Sequence, residues 1–353
     1  MGLLPYQRAR WRAPATAALL ATAVLGLLAG LLAFGGYDVR LAMQALARGA
    51  VGSPVIFAST TLVRATPLIL TGLAVALAFR AGMLNIGADG QFLSGASAAI
   101  AVGLAFGRSL GAAAIPVVLA AGAVSGALCA LIPAWLRRQF GVLEVITTIM
   151  MNFVALYGVS YLVRGPLQEP SGVYPQSPAL DASLRLPFVV PGTRLHAGFV
   201  IAVAMAVGTS WYLRSTAGGF RVRALGANPQ AAAVAGRVRV ARLGMRVFLA
   251  SGALAGLAGA VEVTGVTLAL YENLSPGYGF TAIAVALLGG LEPLGVILSG
   301  IFLGGLATGA AAMQREAGVP AALVSVLEAA VILGVVAGQS VLSRTPPAQA
   351  GAV

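Results

Sequence analysis

The sequence contains no lysine, a single cysteine, a single histidine and little charge of either sign: 9% of its 353 residues are charged. A soluble domain carries about a quarter. Each scarcity closes a route. Without lysine there is no phosphate-binding Lys of a P-loop and no Lys Schiff base, so this chain neither hydrolyses ATP by that machinery nor uses amine-based covalent chemistry. Cys129, inside an apolar run, cannot form an intrachain disulfide and reads as a packed thiol. His196 lies near the end of a proline-rich stretch and reads as a surface residue. No Cys/His cluster and no Ser/Lys dyad occurs, so no metal, cofactor or catalytic residue is expected.

Apolar residues are abundant instead: 59% of the chain is hydrophobic and the mean hydropathy is +0.93. That supply is enough for about ten bilayer spans of ~20 residues, and a soluble fold of this size would leave much of it facing water. The expectation is an all-α, polytopic transmembrane bundle forming one domain over 1–353. Ten runs mark it: Ala15–Phe34, Thr66–Phe79, Phe92–Gly107, Ala112–Leu136, Val142–Val163, Ala197–Leu213, Val247–Leu270, Phe280–Leu291, Leu294–Met313 and Pro320–Val341. The second extends back toward Val55 but is interrupted by Arg64 and Pro67, as helices are where they break around a polar pathway.

The net charge of +12 is carried by arginines in short gaps between these runs, which argues against a nucleic-acid surface. With both termini in the cytoplasm, 14 arginines fall inside and 8 outside, in line with the positive-inside rule. Trp11, Trp135 and Trp211 each lie beside Arg at an inner boundary, where an indole is favoured. These placements orient a chain surrounded by membrane lipid, with its arginine-rich gaps inside. The first part, 14–213, includes an outer loop at 164–196, which carries Pro166, Pro170, Pro175, Pro178, Pro187 and Pro191 and should be irregular. An inner loop at 214–246 has seven Arg and no acid; a second part, 247–341, and a tail, 342–353, follow.

Within the inner loop, Gly226-Ala-Asn228-Pro229 followed by an alanine run to Gly236 specifies a short capped helix. Asn228 is a favoured N-cap, Pro229 a favoured first residue, and Gly236 a favoured stop. Its side chains, Ala232 and Ala233 among them, are small and apolar, so it should be packed on something, either the protein's own inner ends or a groove on a partner.

Polar groups within the apolar runs are few and costly to bury. Glu144, Thr147, Thr148 and Asn152 share one helical face; interhelical hydrogen bonding and lining a solute path both fit. Asn85, Asp89 and Gln91 sit among Gly82, Gly87 and Gly90, which points to a non-helical turn entering the membrane region. Glu262 has three options: pairing with an Arg, staying protonated, or bonding a sugar hydroxyl. No intramembrane cation pair is evident, which argues mildly against an anionic solute. Small-xxx-small pairs such as Gly26/Gly30, Gly122/Gly126 and Gly252/Gly256 indicate close helix packing.

Arg80-Ala-Gly-Met-Leu-Asn85-Ile-Gly-Ala-Asp89-Gly-Gln91 resembles the RAGxxNIGAEGQ signature of nucleoside-type ABC importer permeases, in the branched-chain amino-acid and simple-sugar permease superfamily. Glu144–Asn152, Gly226–Gly236, Ser251–Ala260 and Gly277–Leu288 resemble its later blocks in order. Asp89 departs from the commoner Glu. The resemblance implies a permease subunit, not itself an enzyme, working with ABC ATPase subunits, a second permease and an extracytoplasmic substrate-binding lipoprotein, with Asn228–Ala235 as coupling helix. Nucleosides are the implied cargo. The same machine carrying simple sugars or branched-chain amino acids, and an ion-gradient-driven transporter using Glu144 and Glu262, are the alternatives.

Overall fold

A computed structural model describes residue 26, residues 29–236 and 239–323, and residues 325–326, 329–330 and 333–334. Most of the first and last expected runs lies outside these residues, as do Arg8, Arg10, Arg12, Trp11, Arg237, Arg344 and the tail. The described residues are mostly helical and contain six helices long and apolar enough to cross a membrane. They fall into two compact units, one comprising 54–305, the other the chain up to 53 and from 306.

In the larger unit, α2 (Pro54–Arg80) runs on where the sequence pointed to an interruption. Its first turns widen into a π-helical stretch, Phe57–Leu62, and Pro67 sits inside the regular part that follows. The hydroxyl of Thr66 donates to the Leu62 carbonyl at 2.9 Å, supplying a bond where the ladder is disturbed. Arg64 is therefore a residue of the helix and not of an outer gap. Next come α3 (Ala88–Leu110), α4 (Ala114–Phe140) and α5 (Glu144–Arg164). α4 ends at Gly141, whose φ of 66° lets its amide reach the Arg137 carbonyl.

The inner-loop segment is more helical than its charge led one to expect. α6 (Gly198–Ser215) is followed by α7 (Ala217–Ala227), capped by Thr216, whose hydroxyl accepts from the Gly219 amide at 3.0 Å. Then come α8 (Pro229–Gly236) and α9 (Val240–Glu262), which absorbs Arg242 and Arg246 into a membrane-length helix and continues as a π turn, Val263–Thr267. The short α10 (Tyr278–Leu288) and α11 (Pro293–Ala317) complete the order; α11 belongs to this unit as far as Gly305.

Glycines set how closely the central helices approach. A Cβ on Gly256 of α9 would run into the carbonyl of Gly122 of α4, one on Gly252 would meet the Gly126 carbonyl, and one on Gly95 of α3 would meet Gly256. Three helices thus touch main chain to main chain, which is how van der Waals packing is won where lipid offers no hydrophobic drive. Gly26 and Gly30, by contrast, have no neighbour within 4 Å among the described residues. α2 and α9 are mostly buried, whereas α5 exposes Ile146, Met150, Phe153, Tyr157 and Tyr161 along one stripe.

The proline-rich loop is irregular, with a single 3-10 turn at Ala182–Leu184, but it is strapped down. The Ser177 amide donates to the Leu270 carbonyl and the Leu180 amide to the Leu268 carbonyl, both at 2.7 Å, and the Leu186 amide to the Thr264 carbonyl at 2.9 Å. Its Leu180, Leu184, Leu186 and Leu195 are buried.

Its last residues carry a correction: His196 is not on the surface but 1% exposed, wedged between Gly198 and Gly265, where no side chain competes for the space. Nδ1 accepts from the Gly198 amide at 3.2 Å, and Nε2 has no hydrogen-bond partner among the described residues. Burial pushes the imidazole pKa down to about 4. A histidine folded in its neutral form contributes fully above the unfolded pKa, and its contribution is lost as pH falls from about 6.5 to about 4. Thermal unfolding in detergent should show a drop of roughly 2–4 kcal/mol across that window, absent in His196→Gln; parallel pH profiles for the two proteins would contradict it.

In the smaller unit, residues 29–34 are helical, and α1 (Val39–Val51) is started by Asp38, whose carboxylate accepts from the Leu41 amide at 2.9 Å. Ala42 and Ala45 pack with Leu32, Ala310, Met313 and Val319, and Arg48 pairs with Glu316 at 3.0 Å on the surface.

Candidate functional site

The turn between α2 and α3 is the polar centre of the larger unit. Gly82, with φ of 73°, reverses the chain after Arg80. The next residues are non-helical until Ala88, as the glycine spacing led one to expect, with Asp89 and Gln91 already in the first turn of α3. Asn85 is fully buried and all of its amide is engaged. Nδ2 donates to Gln91 Oε1 at 2.9 Å and to Ser251 Oγ at 2.8 Å; Oδ1 accepts from the Gly87 amide and from Gln91 Nε2, both at 3.0 Å. Ser251 passes the chain on to the Ala74 carbonyl at 2.6 Å. Asn152 of α5 clamps the same turn, accepting from the Gly90 amide at 2.8 Å and donating to the Ile86 carbonyl at 3.0 Å. One turn and three helices are joined by three carboxamides, Asn85, Gln91 and Asn152.

The other polar residues of α5 face the same way but bond more locally. Thr147 and Thr148 donate to carbonyls of their own helix, and Glu144 is paired with Arg137 at 2.7 Å and reached by the Leu84 amide at 3.4 Å. Asp89 turns to α10: it accepts from the Ser275 hydroxyl at 2.7 Å and the Gly279 amide at 2.9 Å, so the short side chain fixes the start of that helix.

The capped helix forms as its sequence specifies. Asn228 Oδ1 accepts from the amides of Gln230 and Ala231, both at 3.0 Å, and Pro229 opens α8. Ala232 turns inward, 7% exposed, while Ala233 is exposed and Val234 is 86% exposed. Gly236 is the last helical residue of α8, and residues 237–238, where the chain leaves the helix, lie outside the described part. Gly226, at the elbow between α7 and α8, rests on the Arg80 carbonyl and faces Gly82: a Cβ there would collide with Arg80. Nearby, Glu292 holds Arg80 at 2.5 Å and Arg214 at 3.1 Å. Burial opposes its charge, but hydrogen bonds from Arg214 and Arg80 prevail and hold its carboxyl below the usual range. At the other end of α5, Arg164 grips Glu272 with two bonds at 2.7 and 2.8 Å, joined by the Ser160 hydroxyl, and these bonds bring the Glu272 carboxyl down to about 2.

One cluster was not singled out from sequence. Arg64 of α2 donates to the Tyr278 hydroxyl at 3.0 Å and lies 5.0 Å from that ring's centroid; Phe92 meets the same ring edge-on at 5.5 Å. The buried Glu262 is within electrostatic reach of Arg64. Arg64 and Pro67 broke the apolar run in sequence, but packing against Tyr278, distant in the chain, lets the guanidinium be accommodated.

Long apolar helices, main-chain glycine contacts and a buried polar turn define a multi-pass membrane protein of the permease type. Comparison makes this specific: the chain belongs to the family described as branched-chain amino acid transport system, permease component, which matches residues 57–336. It is 44% identical to the glucose ABC transporter permease protein of Haloferax volcanii, over 77% of this chain and 74% of that one. It is 41% identical to the guanosine ABC transporter permease protein of Bacillus subtilis, over 90% and 92%. It is 34% identical to a nucleoside ABC transporter permease protein of Lactococcus lactis subsp. cremoris, over 88% and 87%. No solved structure matches.

Proposed function

We propose that the chain is the membrane-spanning subunit of an ATP-driven nucleoside importer of the inner membrane, working by alternating access. Its partners are ABC ATPase subunits, a second permease and an extracytoplasmic binding lipoprotein. The observation that carries this reading is the elbow at Gly226: an exposed apolar helix, α8, is seated through one glycine on the Arg80–Gly82 turn. From that turn the carboxamide network leads to α3, α5 and α9. Force applied to α8 by an ATPase therefore has a short, stiff path to the core. The relatives named for guanosine and nucleosides, matched over nearly the whole chain, support the cargo.

In this reading Ala233 and Val234 form the docking face, while Gly226, Asn228, Pro229, Ala232 and Gly236 shape the element. Asn85, Asp89, Gln91, Thr148 and Asn152 wall the solute path and keep its turn in register; Glu144, Thr147 and Glu262 are the groups that reach solute. Ten membrane segments with both termini in the cytoplasm fit best, and the joint grip of Glu292 on Arg80 and Arg214 supports placing those inner ends on one side.

The test is ATP-dependent uptake of labelled guanosine by proteoliposomes holding the whole complex; accumulation by this chain alone would overturn the reading. Val234→Asp should lower uptake about tenfold or more, a loss of ~1.4 kcal/mol or above in coupling, while ATPase turnover and folded yield persist, since the side chain has no internal packing to lose. Unchanged uptake would count against docking through α8. A second reading, a simple sugar as cargo, is favoured by the glucose-named relative and is separated by competition with unlabelled glucose.

A further inference from the structure

Glu262 is the last residue of α9 before the π turn Val263–Thr267, and Arg64 is the second residue after the π turn Phe57–Leu62 of α2. Each charge thus sits beside an irregularity of a kind that recurs at functional sites. Glu262 is 7% exposed, yet no hydrogen-bond donor reaches its carboxylate from the described residues. Arg64 is within electrostatic reach but spends its bond on Tyr278 and forms no direct ion pair with it. A buried carboxylate left without a donor is costly. Two opposite charges within electrostatic reach that make no direct ion pair can be bridged by a group that donates to one and accepts from the other. Tyr271, 37% exposed and within electrostatic reach of both, offers an accessible ring at the same place. Tyr278 is buried and held by Phe92, by Arg64 and, through Asp89 at Gly279, by the start of α10; it fixes where the guanidinium points.

We propose that Glu262, Arg64 and Tyr271 form the recognition station for a vicinal diol, the cis 2′,3′-hydroxyls of a ribonucleoside. This rests on the nucleoside reading and deepens it. The Glu262 carboxylate accepts from both hydroxyls, the Arg64 guanidinium donates to their oxygens, and the Tyr271 ring packs on the base. Hydroxyls suit this pair of opposite charges because each donates and accepts, which neither a carboxylate nor an ammonium group does. The cargo is therefore distinguished by its sugar as much as by its base: a site built to bond a hydroxyl strongly rejects the analogue lacking it.

The experiment compares uptake of labelled guanosine and 2′-deoxyguanosine by the complete complex in proteoliposomes. The unaltered complex should prefer guanosine by about tenfold or more. Glu262→Gln should lower guanosine uptake by at least that factor while leaving 2′-deoxyguanosine nearly unchanged, so the preference collapses. Tyr271→Leu, at a partly exposed position, should lower both nucleosides alike and leave D-ribose competition intact. A Glu262→Gln complex that keeps the preference, or that loses both nucleosides in proportion to a loss of folded protein, overturns the diol station. If the unaltered complex takes up neither nucleoside, the nucleoside reading falls. The station is then judged by D-ribose against 2-deoxy-D-ribose: equal uptake of these by the unaltered complex overturns it too.

Discussion

Gly256→Leu is expected to remove nearly all folded protein from detergent extracts. The Cβ alone would strike the Gly122 carbonyl and come within 2.8 Å of the Gly126 Cα and 2.9 Å of its nitrogen. Overpacking costs ~1–3 kcal/mol where neighbouring side chains can move aside. Here the neighbours are backbone atoms of another helix, so relief requires α4 and α9 to part and takes α3 with them through Gly95. The loss should approach the ~5–15 kcal/mol that holds a typical fold together. Gly256→Ala should give a milder defect of the same kind. Gly158→Leu on α5, where nothing lies within 4 Å, should be tolerated. Size-exclusion profiles of the three variants decide it: a monodisperse, active Gly256→Leu protein would mean the helices are not in backbone contact.

Asn85→Leu is expected to cost almost as much for a different reason. The shapes are similar, but the change strands both ends of the Gln91 amide and the Gly87 amide in a buried site. At ~1–3 kcal/mol for each of these three stranded groups the total is roughly 3–9 kcal/mol. Removing Gln91 as well, in Asn85→Leu with Gln91→Leu, should recover part of the loss, because two absent partners cost less than one. Folded yield and guanosine uptake should therefore fall together in the single variant. Intact yield with abolished uptake would instead make Asn85 a group that touches solute directly.

Much of this architecture could be read before any coordinates. The cap and proline at Asn228 and Pro229 are local signals with a local outcome, and α8 begins where they put it. Gly122/Gly126 and Gly252/Gly256 are spaced for one helical face, and they meet one another. Asn85 and Gln91 stood out because polar groups are scarce, although their partner Ser251 is 166 residues from Asn85.

What could not be read depends on distant contacts. An arginine and a proline in an apolar run look like a boundary; only the Tyr278 hydroxyl, 214 residues away, makes Arg64 a helix residue. His196 looks exposed because its loop is rich in proline, and the two glycines that leave room for its ring belong to the starts or ends of other elements. Arg242 and Arg246 suggested a loop, yet they ride on the first turns of α9, where both remain exposed. Asp38 announced α1 by the same capping chemistry as Asn228 but lacked an apolar run to draw attention to it.

α10 has 11 residues, which at ~1.5 Å each give about 16 Å, near half of the ~30 Å hydrocarbon thickness. The chain just before it is not helix but strapping, latched by Ser177 and Leu180 to Leu268 and Leu270 through three hydrogen bonds. Unlatching a strap breaks a handful of bonds at once, whereas bending a helix of that length would unwind whole turns. Mechanical compliance is thus unequal along the route: the strapped stretch is released by breaking discrete bonds, the Arg164–Glu272 pair among them, and the helical stretch moves only as a solid piece.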